Sequence, residues 1–294
     1  MTAITVVGSG VVGAATGRGF AKRANATVTF VDVVDEKLQS LRDEGFNAIR
    51  PEELTLDGTD IVFVSVPTPT RKEDDTFVTD YLVSACTSIG RALERMDTAS
   101  YPVIVFRSTM LCGTTSKVLI PILEKESRKQ AGIDFGVCYN PEYLREFAAD
   151  EDFASLEIVT IGHDLLDQKS AVILATAYEP FEATLHYLTI EEAEYQKYVH
   201  NLMNAVKISA YNEMRRFGES QGFDKDRIQV VFDITAETAE SNTNPRYGLR
   251  DKGPYGGACL PKEVNATLSD AKNRGIHLPV LAATQEMNRA LGGW

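Results

Sequence analysis

The stretch Gly253-Pro-Tyr-Gly-Gly-Ala-Cys-Leu-Pro-Lys-Glu263 brings together residue types that can do chemistry. Adjacent glycines let the backbone pack close to something bulky, and Pro261 is suited to opening a helix just after Cys259. A thiol at a helix mouth, beside a lysine, is where a thiolate is stabilised, because the helix dipole and the ammonium both favour the charged form. The competing reading is an inert cysteine near a cap, as free cysteines usually are. Glu194, Lys197 and Asn201 form a second group, spaced i, i+3 and i+7 and therefore on one helix face. Around them Tyr198, Leu202, Met203, Ala205, Val206 and Ile208 are apolar enough to predict a mostly buried helix. A lysine and an asparagine inside such a helix need partners, and a ligand is one candidate.

The elements that must position these groups begin at the amino terminus. The apolar run Ala3–Val7 is followed by Gly8-Ser-Gly-Val-Val-Gly13 and a small-residue segment, the pattern of strand, glycine turn and helix in a dinucleotide-binding unit. Gly8 makes the tight turn, Gly10 lets a pyrophosphate approach the backbone, and Gly13 lets helix and strand pack closely. Thr27–Val31 reads as the second strand, and Asp32 ends it 19 residues after Gly13. A carboxylate there accepts from ribose hydroxyls and repels a 2′-phosphate, which favours NAD over NADP.

Strand and helix keep alternating. Asp60–Val66 runs into Pro67-Thr-Pro-Thr70, and Val103–Phe106 runs into Arg107-Ser-Thr109. Phe135–Cys138 leads to Asn140-Pro-Glu-Tyr-Leu-Arg-Glu146, while Glu157–Ile161 and a run near 183–186 can close the sheet. Helices are expected near 80–96 and 115–130. Ligand-type loops at strand carboxyl ends predict an α/β fold, a Rossmann-type doubly wound parallel sheet. From Thr189, which forms a plausible capping box with Glu192, the pattern becomes helical. The run 190–221 lacks proline, and at ~1.5 Å per residue it is a rod of roughly 45 Å, long enough to pack against a partner. The expected domains are an NAD-binding domain at 1–188 and a helical dimerisation domain at 189–294, with helices near 224–234, from Pro261 and from about 278.

The 294 residues carry a net charge of −12, which argues against nucleic acid as a general partner and requires a local cation cluster for any anionic ligand. No apolar run approaches the length of a membrane span, and no leader pattern precedes the first strand. The four scattered cysteines show no paired metal spacing and suit a reducing, cytoplasmic setting.

Taken in order, Gly8–Gly13, Ser65-Val-Pro-Thr-Pro69, Ser108-Thr-Met-Leu-Cys-Gly-Thr114, Asn140–Glu146, Glu194-x-x-Lys197-x-x-x-Asn201 and Gly256–Glu263 resemble the UDP-glucose/GDP-mannose dehydrogenase family over essentially the whole chain. The resemblance implies NAD-dependent, four-electron oxidation of a sugar primary alcohol to a carboxylate. Cys259 would be the nucleophile, passing through a thiohemiacetal and a thioester. Lys197 and Asn201 would stabilise oxyanions; Thr109, Glu146 and Glu263 would complete the catalytic set, and Glu142 matches the other motif glutamate. The implied cofactor contacts are Gly8, Ser9, Gly10, Val11, Val12, Gly13, Asp32, Lys37, Pro67, Thr68, Ser108, Thr109, Glu146 and Lys262. Tyr143, Leu144, Arg145, Glu146, Lys197, Asn201, Tyr255, Gly256 and Cys259 would line the sugar-nucleotide site. Arg246 resembles a residue that reaches the partner's substrate site in family dimers, and Arg250 and Lys252 could add positive charge for a diphosphate. The implied partners are a nucleotide sugar and a second copy held through the 190–221 helix.

Within the family the substrate expected is UDP-glucose, with GDP-mannose or a UDP-N-acetylhexosamine as alternatives. A non-catalytic NAD-binding or assembly protein is the alternative of another class. Three departures stand out. Glu263 occupies a position usually held by Asp, the loop from Arg246 to Cys259 is shorter than in many relatives, and the chain reaches Trp294 where relatives lead into a third α/β domain.

Overall fold

Runs rich in Val, Ile and Phe, broken by glycine and polar turns, form the strands of the first two thirds of the chain. The fold is described from a computed structural model covering residues 1–294 apart from 74–75, 97–99, 250–252, 258 and 294. Arg250 and Lys252 therefore lie outside the described residues. β1 (Ala3–Val7) leads through the glycine turn into α1 (Val11–Arg23), then β2 (Thr27–Val31), α2 (Asp35–Asp43), β3 (Asn47–Ile49), β4 (Ile61–Val64), α3 (Asp80–Arg95) and β5 (Val103–Phe106). Next come α4 (Ile120–Ser127), β6 (Gly136–Tyr139), α5 (Ala149–Ala154), β7 (Ile158–His163), α6 (Gln168–Tyr178) and β8 (Thr184–Thr189). The remainder is helical: α7 (Ile190–Ser220), α8 (Lys225–Thr238), α9 (Glu240–Thr243), α10 (Leu260–Asn273) and α11 (Pro279–Ala290).

The strands form one sheet in the order β3-β2-β1-β4-β5-β6-β7-β8. The first six are parallel, and their order reverses between β1 and β4, the place where doubly wound sheets open a ligand crevice. β7 departs from the all-parallel expectation. It runs antiparallel to β6, with Tyr139 opposite Gly162, and β8 is parallel to β7. The connection 140–157 contains α5 but no crossover that returns the chain to the other edge, so the next strand must enter reversed.

Alternation along the central strands divides the core. Phe63 and Val105 face Phe20, Phe153, Leu174 and Tyr178 of α1, α5 and α6. Val62, Val64, Ile104 and Phe106 face Leu82, Ile89, Leu93 and Leu123 of α3 and α4. Phe20 is the hub of the first layer, with ring centroids 5.0–5.5 Å from Phe63, Phe153, Tyr178 and Phe181. The helix expected over 115–130 begins with a π-type turn, Thr115–Leu119, and α4 ends at Ser127.

Two compact units result, Met1–Val199 and His200–Trp294, with the division inside α7. The first turns of α7 belong with the sheet: Ile190 and Ala193 are buried, and a Cβ on Gly162 would lie 2.6 Å from the Ala193 Cβ. The Thr189 capping box forms, with Thr189 N donating to Glu192 Oε2 at 2.9 Å and Glu192 N donating to Thr189 Oγ1 at 3.3 Å.

In the second unit the mostly buried helix is not what folds. Leu202, Met203, Val206 and Ile208 are 50–63% exposed in the single chain. An apolar helix face reads the same in sequence whether its own chain or another molecule covers it. Inside this unit Tyr211 packs edge-on against Phe232, and buried Glu213 accepts the Val280 and Leu281 amides at the start of α11.

Candidate active site

A cleft of about 740 Å³ opens at the carboxyl edge of the sheet, over β1 and β4. Its floor is the glycine turn. Gly8 has φ +91°, and a Cβ there would come 2.7 Å from Ser65 O, so only glycine fits. A Cβ on Gly13 would lie 1.9 Å from Gly8 O, which ties the start of α1 to the turn. A Cβ on Gly10 would meet nothing within 4 Å; this face is open toward the cleft, next to the helix N-terminus. Val11 and Val12 also line the cleft.

Asp32 stands at the far wall, 8% exposed. Its Oδ2 accepts Ser9 N at 2.7 Å and Ser9 Oγ at 2.6 Å, and its Oδ1 accepts Val34 N at 3.0 Å. Lys37 Nζ lies 3.8 Å from Oδ2. Burial pushes this carboxyl up, but the Ser9 and Val34 donors and the Lys37 charge outweigh it, and the group sits below its ordinary range. A pyrophosphate-accessible helix start, an ionised carboxylate after β2 and a cleft of this size together fit NAD, with Gly8–Gly13 and Asp32 as the residues that would hold it.

Two loops close the cleft from β4 and β5. Thr68 Oγ1 donates to Thr109 O at 2.8 Å and Ser108 Oγ to Val66 O at 2.7 Å, so the two are pinned to one another beside Pro67. Arg107 lines the cleft with Ser108 and Thr109 but is almost wholly buried. Its guanidinium turns into the aromatic layer, 5.6 Å from both the Phe63 and Phe153 ring centres. There it bonds Asn140 Oδ1, and Tyr178 Oη lies 2.9 Å from its Nη1. Tyr178 Oη donates to Asn140 Oδ1 at 2.7 Å, and Asn140 Nδ2 donates to Thr160 O at 2.7 Å. This buried network anchors the first residue of the 140–146 loop. No spacing rule pairs positions 107, 140 and 178, so sequence reasoning had no means of finding it.

The loop itself carries Glu142, Leu144 and Glu146 to the cleft wall. Lys197, 4% exposed, bonds the Glu142 carbonyl and lies 3.2 Å from Glu142 Oε1. Glu142 Oε2 accepts Leu144 N at 2.8 Å. Tyr143 donates its hydroxyl to Gln196 Oε1 at 2.6 Å and lies 2.8 Å from Thr160 Oγ1. Arg145 is held by Asp152 through Nε and Nη2, with the closest pair at 2.6 Å. Glu194 is buried and acts as a tether: it accepts Thr115 N at 2.9 Å, Thr115 Oγ1 at 2.6 Å and the Gly113 amide. Burial pushes its carboxyl up against the pull of those donors. The shared face is thus divided: Glu194 and Lys197 are buried in the first unit, whereas Asn201 is exposed in the second.

In the second unit Cys259 is exposed at the N-cap of the 14-residue α10, with Pro261 inside the first turn. Glu263 N donates to Cys259 O at 3.0 Å, and Lys262 Nζ lies 4.0 Å from Glu263 Oε1. Gly257 has φ +81°, the left-handed backbone just before the thiol. Gly256 is exposed, and Tyr255 is half-buried. Arg246 is exposed, its amide held by Asn244 Oδ1 at 3.0 Å. Among the described residues no helix is long and apolar enough to cross a membrane.

The sheet order and the cleft at its reversal define the class as a Rossmann-type dinucleotide-binding fold. Comparison with known proteins resolves it further. Residues 51–182 match the UDP-glucose/GDP-mannose dehydrogenase family, NAD binding domain, and residues 191–290 match the central domain of the same family. The chain belongs to the UDP-glucose/GDP-mannose dehydrogenase family. It is 32% identical to a GDP-mannose 6-dehydrogenase of Pseudomonas putida, over 98% of this chain and 68% of that protein. It is 30% identical to a UDP-glucose 6-dehydrogenase of Bacillus subtilis, over 98% of this chain and 63% of the relative. The crystal structure of a ternary complex of GDP-mannose dehydrogenase from Pseudomonas aeruginosa superposes with a TM-score of 0.88 at 29% identity, covering 98% of this chain and 68% of that one. The chain thus spans about two thirds of the length of these relatives.

Proposed function

We propose that the protein oxidises the primary alcohol of a nucleotide sugar to the carboxylate in two NAD-dependent steps, with Cys259 as the nucleophile. The observation that carries this reading is the exposed thiol at the N-cap of α10, ahead of Lys262 and Glu263. NAD, when bound, supplies the hydride acceptor. The alcohol loses a hydride and a proton to become an aldehyde. The Cys259 sulfur adds to the carbonyl carbon, and the resulting alkoxide is the charge that Lys197 and Asn201 are suited to hold. Loss of a second hydride leaves a thioester. Water attacks the acyl carbon, the C–S bond breaks, and the carboxylate leaves with the thiol restored. Thr109 and Glu146 are assigned to the water and its proton, and Asp32 to the adenosine ribose hydroxyls.

GDP-mannose is the substrate this reading favours, on the strength of the Pseudomonas relatives and the 0.88 TM-score. UDP-glucose is the second reading, supported by the motif pattern and the Bacillus relative. A panel of nucleotide sugars incubated with NAD, followed at the NADH absorbance band, tests both. The expected result is two NADH per sugar with GDP-mannose or UDP-glucose, abolished by Cys259→Ser. Measurable NAD binding with no turnover on any nucleotide sugar would leave a binding protein instead.

A further inference from the structure

We infer that Ser9 is a positioning residue for Asp32, and that its hydroxyl, acting through that carboxylate, sets the grip on NAD and the refusal of NADP. The inference rests on the assignment of Asp32 to the cofactor ribose. The glycine turn needs nothing from the side chain between Gly8 and Gly10, yet this one is a serine with its residue only 6% exposed. Its amide and hydroxyl both donate to the same oxygen, Asp32 Oδ2, at 2.7 and 2.6 Å. The backbone beneath is held to the sheet, with Gly8 N donating to Val31 O at 2.8 Å and no room for a Cβ beside Ser65.

The two oxygens of Asp32 are therefore unequal. Oδ2 is occupied by two donors from one residue, with the Lys37 ammonium 3.8 Å away. Among the described residues Oδ1 accepts the Val34 amide, which leaves it acceptor capacity on the wall of the cleft. A carboxylate fixed in this way presents one oxygen in a constant orientation and holds its charge, the two properties that select ribose hydroxyls over a 2′-phosphate. Without the Ser9 hydroxyl the carboxylate keeps one donor on Oδ2 and can rotate. The Lys37 ammonium is then freer to meet a phosphate.

The test is calorimetric titration with NAD and with NADP, without any sugar, of the wild type, Ser9→Ala, Ser9→Thr, Asp32→Ala and the Ser9→Ala/Asp32→Ala double variant. With the carboxylate no longer held in one orientation, NAD binding in Ser9→Ala should weaken by about tenfold. Ser9→Thr, which keeps the hydroxyl, should restore it. In the Asp32→Ala background Ser9→Ala should change NAD affinity by less than about twofold, since its partner is gone. The NADP-to-NAD affinity ratio should rise in Ser9→Ala, and carbon-detected titration of the apo protein should find the Asp32 carboxyl moved up. Unchanged NAD affinity in Ser9→Ala, or an equal loss with and without Asp32, would overturn the inference. An Asp32→Ala variant that binds NAD normally would overturn it too, by removing the ribose assignment beneath it. None of these outcomes depends on which sugar is oxidised, so failure of the substrate reading leaves the test standing.

Discussion

Arg145 is committed within its own unit. The resemblance assigned it to the sugar-nucleotide site, but Asp152 grips its guanidinium with both oxygens and also accepts its amide at 2.8 Å. The Arg145 side chain and amide hold the Asp152 carboxyl down to about 2 from an ordinary 3.8. For a depressed carboxyl the stabilising contribution is complete above the ordinary value and fades as pH falls toward the folded one, here between about 4 and about 2. Carbon-detected titration should place the Asp152 midpoint near 2 in the wild type, and Arg145→Ala should move it up toward 3.8, with the retained amide still holding it below. An unchanged midpoint would mean the pairing does not persist in solution. Glu263 poses a second residue-scale question, since the family resemblance leads one to expect Asp there. If the extra methylene displaces the carboxylate from its best position, Glu263→Asp should raise kcat by about tenfold or more. A fall in kcat would show the site adapted to Glu.

At the scale of elements, Phe20 of α1 holds the layer between the sheet and α5–α6. It is fully buried, with four rings around it. Phe20→Ala should cost ~3–5 kcal/mol of stability, read by chemical denaturation, with Gly13 and the cofactor turn displaced alongside. A loss under ~1 kcal/mol would contradict this packing. The glycine turn, β1, β2, β4, β5, β6 and the α7 capping box were legible in the sequence because each has a local pattern: an apolar run, a glycine spacing, or a Thr–Glu pair; the three-residue β3 is too short to leave one. The reversal of β7 was not, because a short apolar strand reads identically in either direction. Of the α7 groups, Lys197 was legible as a buried cation needing a partner. That partner, Glu142, lies 55 positions away in the chain and no local signal marks it. Asn201 has the same helix phase as Lys197, but the packing that buries the first turns of α7 ends before it.

At the scale of the whole molecule, Leu202, Met203 and Val206 form an exposed apolar stripe on α7, and we propose that a second copy of the chain covers it. A dimer formed through α7 should sediment as such at micromolar concentration, and Leu202→Glu with Val206→Glu should shift it to monomer. A wild-type monomer would refute the role given to this helix. The central claim is that Cys259 carries the substrate between its two oxidations, and acid quenching during turnover followed by mass spectrometry of the Cys259 peptide tests it most directly. A hydroxylamine-labile acyl adduct of the nucleotide sugar on Cys259, absent in Cys259→Ser, is the expected result. No adduct at Cys259, together with two NADH per sugar from Cys259→Ser, would contradict it.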